Sequence, residues 1–184
     1  MKLLAVAALL ACIASTSAIT ITFNNKCSYT VWPAIGKAPN GQPDPSVSFG
    51  TTLDPGGEAS FSISDYEIGI RAWGRTGCDH DGANCETGSC EGGLVCTDAG
   101  ITSDVLLSEY GYGDFGRWGG KRTSWDLARS NNVNIPTRLD SSDGQSVTCL
   151  DMSCPDNQAY SYSTDYAADR NSPLGQTYTH VFCP

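Results

Sequence analysis

The sequence predicts an exported all-β domain whose loops are held together by disulfides. Short runs of alternating apolar and polar residues are separated by turn motifs, which is typical of β-sandwiches and β-barrels. A helical pattern is almost absent. Once an N-terminal leader is set aside, the number of cysteines is even, which favours disulfides in an exported chain.

The first 18 residues, MKLLAVAALLACIASTSA, have the pattern of a secretory signal peptide. Lys2 precedes a short apolar run, and small residues lead up to Ala18, so cleavage is expected near Ala18–Ile19. The run is shorter than the roughly 20 residues that span a bilayer, so we expect secretion without membrane insertion. The remaining residues, 19–184, are predicted to form a single domain.

Five segments have the alternation of β-strands: ITITF (19–23), YTVW (29–32), ASFSI (59–63), IGIRAW (68–73) and YTHVF (178–182). A short helix is predicted over 102–110. If the first and last strands pair, Cys27 and Cys183 come close together. Trp32 and Trp73 lie within strand patterns and are expected in the core.

Eight cysteines remain after the leader, and they predict four disulfides, although eight cysteines allow 105 pairings. The dense stretch 78–96 could instead suggest a zinc site. Its spacings are irregular and the nearest histidine is His80, so no metal and no cofactor are expected. The eight are Cys27, Cys78, Cys85, Cys90, Cys96, Cys149, Cys154 and Cys183.

The charge balance is strongly acidic, with 11 basic and 20 acidic side chains and a net charge of −9. Nucleic acids and anionic lipids require clustered cations. Neither is therefore expected as a partner, and the chain is predicted to be a monomer.

Several segments together resemble the thaumatin-like family, of the pathogenesis-related thaumatin and osmotin type. They are ITFNNKCSYTVWPA, IRAWGRTGC, CETGSCEGGLVC, WDLARSNNVNIP and CPDNQAYSYSTD…VFCP, in that order from residue 21 to 184. The resemblance implies a flattened antiparallel β-sandwich with disulfide-stapled loops. Only LDMS separates Cys149 from Cys154, so the chain resembles the small form without the cysteine-rich second domain. The implied disulfides are Cys27–Cys183, Cys78–Cys85, Cys90–Cys96 and Cys149–Cys154.

The resemblance also implies an acidic cleft that binds β-1,3-glucan. Its positions fall on Arg71, Glu109, Asp126, Asn131 and Asp156, and Asn131 replaces an aspartate of the family. If the cleft is catalytic, glycoside hydrolysis needs one protonated and one ionised carboxyl group. Glu109 is then the expected acid and Asp126 the expected base or nucleophile. Each of these residues could instead have a structural role, by capping a turn, forming a salt bridge or lying on a solvated face.

Aromatic side chains could supply stacking surfaces for sugar rings. Tyr110, Tyr112 and Trp118 are predicted to bind substrate, in a stretch that carries extra residues relative to the family around GDFGRWGGKR. No motif for a Ser-His-Asp hydrolase is present.

Three functions are therefore open. The first is binding of β-1,3-glucan-type cell-wall polysaccharide, with an antifungal or defence role. The second is weak endo-β-1,3-glucanase activity through Glu109 and Asp126. The third is a protein-binding module or hydrolase inhibitor. Asn131 and the missing second domain favour binding over hydrolysis.

Overall fold

The computed structural model describes residues 17–101, 103–129, 132–162 and 166–184. In these residues eleven β-strands form two sheets, and three single 3-10 turns lie at 39–41, 116–118 and 166–168. The strands are β1 (Ala18–Asn25), β2 (Trp32–Lys37), β3 (Ser48–Gly50), β4 (Glu58–Ser64), β5 (Ile70–Arg75), β6 (Leu107–Asp114), β7 (Lys121–Ala128), β8 (Thr137–Ser141), β9 (Ser146–Cys149), β10 (Arg170–Pro173) and β11 (Thr177–Phe182).

The five-stranded sheet has the order β4-β1-β11-β8-β9. The predicted pairing of the terminal strands is confirmed, and it is parallel, running from Thr20↔Thr177 to Asn25↔Phe182. The other pairs of this sheet are antiparallel.

The six-stranded sheet is antiparallel throughout, with the order β10-β7-β6-β5-β2-β3. Strands β6 and β7 form a long hairpin that pairs from Leu107↔Ala128 to Asp114↔Lys121. Strand β5 covers only three residues of β6, from Ser108 to Tyr110. The far half of the hairpin therefore extends beyond β5.

The two sheets pack face to face, which confirms the predicted β-sandwich. Side chains of both sheets meet in one buried cluster that includes Phe23, Ile35, Trp125, Leu139 and Phe182. Burying each such side chain contributes about 1.5–3 kcal/mol. The opposite, outer face of the six-stranded sheet has its own smaller cluster, in which Ala34, Trp73, Val105, Leu107 and Ala128 pack against Cys90 and Cys96. The cysteine-rich loop thus covers part of that face.

Arg75 at the end of β5 holds this loop in place. Its guanidinium is buried and donates to the carbonyl oxygens of Trp32, Gly82, Gly93 and Leu94, at 2.7–3.0 Å. Loss of hydration lowers the pKa of Arg75 to about 10. The cysteine-rich loop, which has almost no apolar content, is thereby attached to the sheet through its backbone.

The eight described cysteines form four disulfides, in the pairs that the family resemblance implied. Their sulfur atoms are therefore not available as the thiolate ligands that a zinc site in the stretch 78–96 would need. The loops that the bonds close span from 5 to 156 residues of sequence.

Two expectations about local structure are wrong. The predicted strand 29–32 begins only at Trp32, and Val31 makes a single isolated bridge to Leu53. The predicted helix over 102–110 is absent from its described residues, since Leu107–Tyr110 begin β6. Pairing with β5 on one side and β7 on the other outweighs the helical propensity of Leu and Glu. No helix in the described residues is long and apolar enough to cross a membrane.

Candidate functional site

Three of the predicted site residues lie side by side across neighbouring strands. Arg71 on β5 pairs with Glu109 on β6, and Glu109 pairs with Asp126 on β7. On the other side, Gly36 of β2 pairs with Arg71. Directly opposed residues of antiparallel strands project from the same face, with Cβ atoms about 4.5–5.5 Å apart. We call these four residues the cross-strand row.

The row lies on the outer face of the six-stranded sheet. Alternation along β5 places Arg71 on the same face as Trp73, which packs under the cysteine-rich loop. Ala99, in the segment between Cys96 and β6, lies over Gly36, and a Cβ atom at position 36 would come within 2.5 Å of the Ala99 Cα. A glycine at this position therefore allows the segment to form a wall beside the row.

Arg71 connects this wall to the acidic residues. Its Nη1 donates to the carbonyl oxygen of Ala99 at 3.2 Å, and its Nε lies 3.8 Å from Glu109 Oε1. Burial lowers the pKa of Arg71, while the carboxylates of Glu109 and Asp98 act in the opposite direction. The Glu109 side chain remains 48% exposed. The ion pair thus fixes the position of a carboxylate that solvent and ligands can reach.

Asp126 has a different environment. Loss of hydration raises its pKa well above the usual range, and the nearby carboxylates of Glu109 and Asp169 raise it further. Its Oδ1 is buried and has no hydrogen-bond partner in the described part of the chain. Burial and like charge therefore favour the protonated form of Asp126, so the raised pKa favours Asp126, and not Glu109 as predicted, as the acid of the pair.

A pocket of about 280 Å³ opens beside the row. Arg71 and Glu109 form one side of it, and Ala38, Gly41, Gly69 and Ile101 complete the lining. Gly69 is in the left-handed region (φ +69°), and a Cβ atom there would come within 2.6 Å of the Pro39 backbone nitrogen. The charged groups are therefore found at the edge of a concave surface.

The structure does not bring Asp156 into the row. Its carboxylate, 63% exposed, accepts a hydrogen bond from Arg129 Nη2 at 2.6 Å. Arg129 also donates to the carbonyl oxygen of Met152, so this ion pair fastens the 149–156 loop to the end of β7. Asn131, the other predicted polar residue, lies outside the described residues.

The predicted aromatic platform is not assembled beside Glu109. Tyr110 is buried in the sandwich core, 3% exposed. Tyr112 has the same parity along β6 as Tyr110, so it projects from the face opposite Glu109, where its ring contacts Tyr66. Trp118 is 81% exposed at the hairpin tip. Five further residue pairs, at about 3.4 Å each, separate Glu109 from the turn that carries Trp118, so the two residues are at least about 17 Å apart along the hairpin. Trp73 is buried as expected, whereas Trp32 is half-buried.

Two acidic residues near the row were not predicted. Asp169 comes directly before β10, one position from the Arg170↔Trp125 pair, and it accepts a hydrogen bond from Ser124 Oγ at 3.0 Å. Asp98 lies on the other side, near Arg71. Neither belongs to a recognisable motif: the pairing of β10 with β7 brings Asp169 to the row, and the loop before β6 brings Asp98 there.

A serine and a histidine also meet, but inside the core. Ser108 Oγ lies 2.5 Å from His180 Nε2, with the Tyr110 hydroxyl 3.2 Å from the same nitrogen. Both residues are at most 2% exposed, and burial lowers the pKa of His180 to about 4. A substrate cannot reach this pair, so it acts as a neutral core hydrogen-bond network and not as a nucleophile and base.

The fold, the disulfides and the row together define a known class of protein, and comparison with known sequences agrees. The Thaumatin family model matches residues 25–159, so the chain belongs to the thaumatin family. It is 34% identical over 171 residues to a thaumatin-like protein of Oryza sativa subsp. japonica, covering 91% of this chain and 86% of that protein.

Two further relatives have informative names. Thaumatin-like pathogenesis-related protein 4 of Avena sativa is 34% identical over 173 residues, covering 93% of this chain and 90% of that protein. Among solved structures, the thaumatin-like xylanase inhibitor TLXI matches with a TM-score of 0.59 and 27% identity, covering 89% of this chain and 99% of that chain. The relatives thus include both defence proteins and an enzyme inhibitor.

Proposed function

We propose that the protein is a secreted defence protein that binds β-1,3-glucan-type cell-wall polysaccharide along the cross-strand row. The observation that carries the proposal is the contrast between two adjacent carboxyl groups on one open sheet face. Asp126 has a raised pKa and a buried oxygen without a hydrogen-bond partner among the described residues, whereas Glu109 is exposed and ion-paired. Similarity to pathogenesis-related proteins supports the defence role.

The row offers the hydrogen-bonding groups that a neutral polysaccharide needs. The Glu109 carboxylate accepts from sugar hydroxyl groups, Arg71 donates, and Asp126 donates when it is protonated. Hydrogen bonds to charged groups contribute about 1.5–3 kcal/mol each. The pocket beside Glu109 gives a sugar ring a concave surface to enter.

The arrangement favours binding over hydrolysis. Glycosidases place two carboxyl groups on either side of the scissile bond. Here Glu109 and Asp126 extend in the same direction from neighbouring strands, so both approach a bound chain from below.

The test is incubation of the oxidised protein with insoluble β-1,3-glucan, following both depletion from solution and release of reducing ends. We expect depletion without release, and at least a tenfold weaker association for Glu109→Gln, in line with the loss of about 1.4 kcal/mol or more. Glu58→Gln is the matched control, because Glu58 lies on β4 in the other sheet. Release that disappears in Glu109→Gln and Asp126→Asn would instead make the protein a glucanase.

A second candidate function is inhibition of a secreted hydrolase, which the match to TLXI over almost the whole of both chains favours. The β6–β7 hairpin would supply a projecting surface, with Phe115 and Trp118 exposed and the Arg117 guanidinium 4.6 Å from the Trp118 ring centroid. A xylanase assay tests it: inhibition that Trp118→Ala abolishes, without depletion by glucan, would replace the first proposal.

A further inference from the structure

A second and larger pocket lies on the same sheet face, away from the cross-strand row. It encloses about 500 Å³, a volume typical of small-molecule sites. Its lining includes two aromatic rings and four polar side chains: Tyr29, Trp32, Thr30, Thr76, Glu86 and Asn134. Trp32 pairs with Arg75, and it stands four residues, about 13 Å, from Gly36 of the row. We call it the Trp32 pocket.

The cysteine-rich loop separates the two sites. Between Trp32 and Gly36 on β2 lies Ala34, which packs with Trp73 beneath Cys90 and Cys96. Glu86 from the same loop forms a side of the Trp32 pocket, whereas Ala99 forms a wall of the row. A ligand in one site therefore does not touch the residues of the other.

The pocket walls are fixed before any ligand arrives. Arg75 Nε holds the Trp32 carbonyl oxygen at 3.0 Å, and the buried Asn25 side chain donates to the Tyr29 carbonyl oxygen at 2.9 Å. The Tyr29 hydroxyl lies 3.6 Å from Cys183 Sγ, in the disulfide to Cys27. Rigid walls lower the entropic cost of binding.

The polar side chains of the pocket are connected to each other but leave groups for a ligand. Asn134 Nδ2 donates to the Thr87 hydroxyl at 2.8 Å, and Thr87 lies 2.7 Å from the Thr76 hydroxyl. When Thr87 donates onward to Thr76, the hydroxyl hydrogen of Thr76 is free for a ligand. The exposed Glu86 carboxylate has no hydrogen-bond or ion-pair partner in the described part of the chain.

The Glu86 side chain lies against Gly77, just after β5. Gly77 has φ +62°, and a Cβ atom there would come within 2.5–2.8 Å of the Glu86 side chain. The left-handed φ favours glycine at this position. The exposed Glu86 carboxylate therefore lies at the rim of the pocket.

These groups select the chemical class of the ligand. The lining contains no lysine, arginine or histidine, so a carboxylated or sulfated sugar would meet only the negative Glu86. Aromatic faces suit the C–H faces of a pyranose, and the Glu86 carboxylate and the Thr76 hydroxyl suit its hydroxyls. We propose that the Trp32 pocket is a second carbohydrate site that binds one or two units of a neutral β-linked saccharide.

The test is NMR of the tryptophan indole N–H groups during titration with laminaritriose and, separately, xylotriose. The four tryptophans report on different places: Trp73 and Trp125 are buried, Trp118 is at the hairpin tip and Trp32 is in the pocket. We expect the Trp32 signal, assigned with Trp32→Phe, to shift at millimolar saccharide. Glu86→Gln should weaken this binding about tenfold, since a charged hydrogen bond contributes 1.5–3 kcal/mol.

Glu109→Gln is the matched control and should leave the Trp32 titration unchanged. An unmoved Trp32 signal at millimolar concentrations of both sugars would overturn the proposal, as would a titration that Glu109→Gln abolishes and Glu86→Gln does not affect. Failure of the glucan depletion assay has no bearing on this result, because the soluble titration reads the pocket directly. Circular dichroism of each variant verifies that it is folded.

Discussion

Glu109 and Asp126 are direct cross-strand partners, yet of these two carboxylates only Glu109 has an ion-pair partner among the described residues. Arg71 and Asp126 lie on opposite sides of Glu109, so the Glu109 carboxylate lies between the Arg71 charge and Asp126. Burial and like charge then act together on Asp126 and raise its pKa. Two carboxyl groups on adjacent strands are thus placed in different electrostatic environments.

Replacing Asp126 with asparagine should stabilise the protein at neutral pH. Because the folded pKa of Asp126 is raised, the folded state binds more protons than the unfolded state above the unfolded value of 3.8, and stability falls as the pH rises through the folded pKa. Asp126→Asn removes this loss. We expect a higher Tm at pH 7, with each 1 kcal/mol worth about 2–4 °C in a chain of this size.

Below pH 3.8 Asp126 is protonated in both states, so the difference between Asp126→Asn and the wild type should vanish there. Asp156→Asn is the matched control. It removes the ion pair with Arg129 and should lower stability by at most about 1 kcal/mol. A Tm of Asp126→Asn below that of the wild type at pH 7 would contradict the assignment.

His180 predicts a pH dependence opposite in sign to that of Asp126. Burial depresses its folded pKa to about 4 from an ordinary value of 6.5, so between these limits the unfolded state binds the proton and the folded state does not. The contribution of His180 to stability should therefore fall as the pH falls from 6.5 to 4, by about 3 kcal/mol in total. Chemical denaturation at half-unit steps of pH measures it.

The corresponding variant is His180→Phe. It removes the ring nitrogen that lies within hydrogen-bond distance of both Ser108 and Tyr110, so it should be less stable at pH 7. It should also lose stability less steeply between pH 6.5 and 4 than the wild type. An equal slope in the two proteins would show that other groups cause the acid sensitivity.

Arg75→Lys should be strongly destabilising although it keeps the charge. One ammonium group cannot reach the four carbonyl oxygens that the guanidinium holds on β2 and the cysteine-rich loop. Buried acceptors left without a donor cost about 1–3 kcal/mol each, so we expect a loss of about 3–5 kcal/mol. Arg117→Lys at the exposed hairpin tip should change stability by less than about 0.5 kcal/mol. Similar denaturation midpoints for the two variants would exclude Arg75 as the anchor of the loop.

Trp118→Ala should leave glucan binding unchanged. The side chain is 81% exposed at the end of a hairpin, at least about 17 Å from Glu109. The depletion assay with insoluble glucan measures this directly, with Glu109→Gln as the variant that should fail. If Trp118→Ala reduced depletion as much, the ligand would extend along the hairpin, as the sequence alone suggested.

The sequence predicted the sandwich, and it named the three charged residues that the strands bring together in the row. Alternation along β1, β4 and β11 is visible without a structure, and the motifs around Arg71, Glu109 and Asp126 resemble those of the family. Their contact depends on strand register, which the long β6–β7 hairpin sets through its turn at 115–120. Sequence also missed Asp169, whose place beside Asp126 follows from the pairing of β10.

The structure separates the predicted aromatic side chains from Glu109 for a different physical reason. Tyr110 and Tyr112 were read as neighbours of Glu109 because they follow it closely in sequence. In a strand, successive side chains point to opposite faces, so Tyr110 enters the core while Glu109 faces out. A helix over 102–110 would have grouped these residues differently, and that assumption was wrong. The Trp32 pocket was missed because its residues come from four separate segments.

The parallel pairing of β1 with β11 affects how the molecule is made. Strand β1 lies inside the five-stranded sheet, between β4 and a strand that is synthesised some 150 residues later, and the Cys27–Cys183 bond spans 156 residues. An emerging chain can form the β6–β7 hairpin early, but it cannot complete this sheet until β11 has emerged. The growing chain must therefore keep β1 and its apolar edge protected from aggregation throughout synthesis. A disulfide between Cys27 and any cysteine that emerges before Cys183 would trap the chain in the wrong fold.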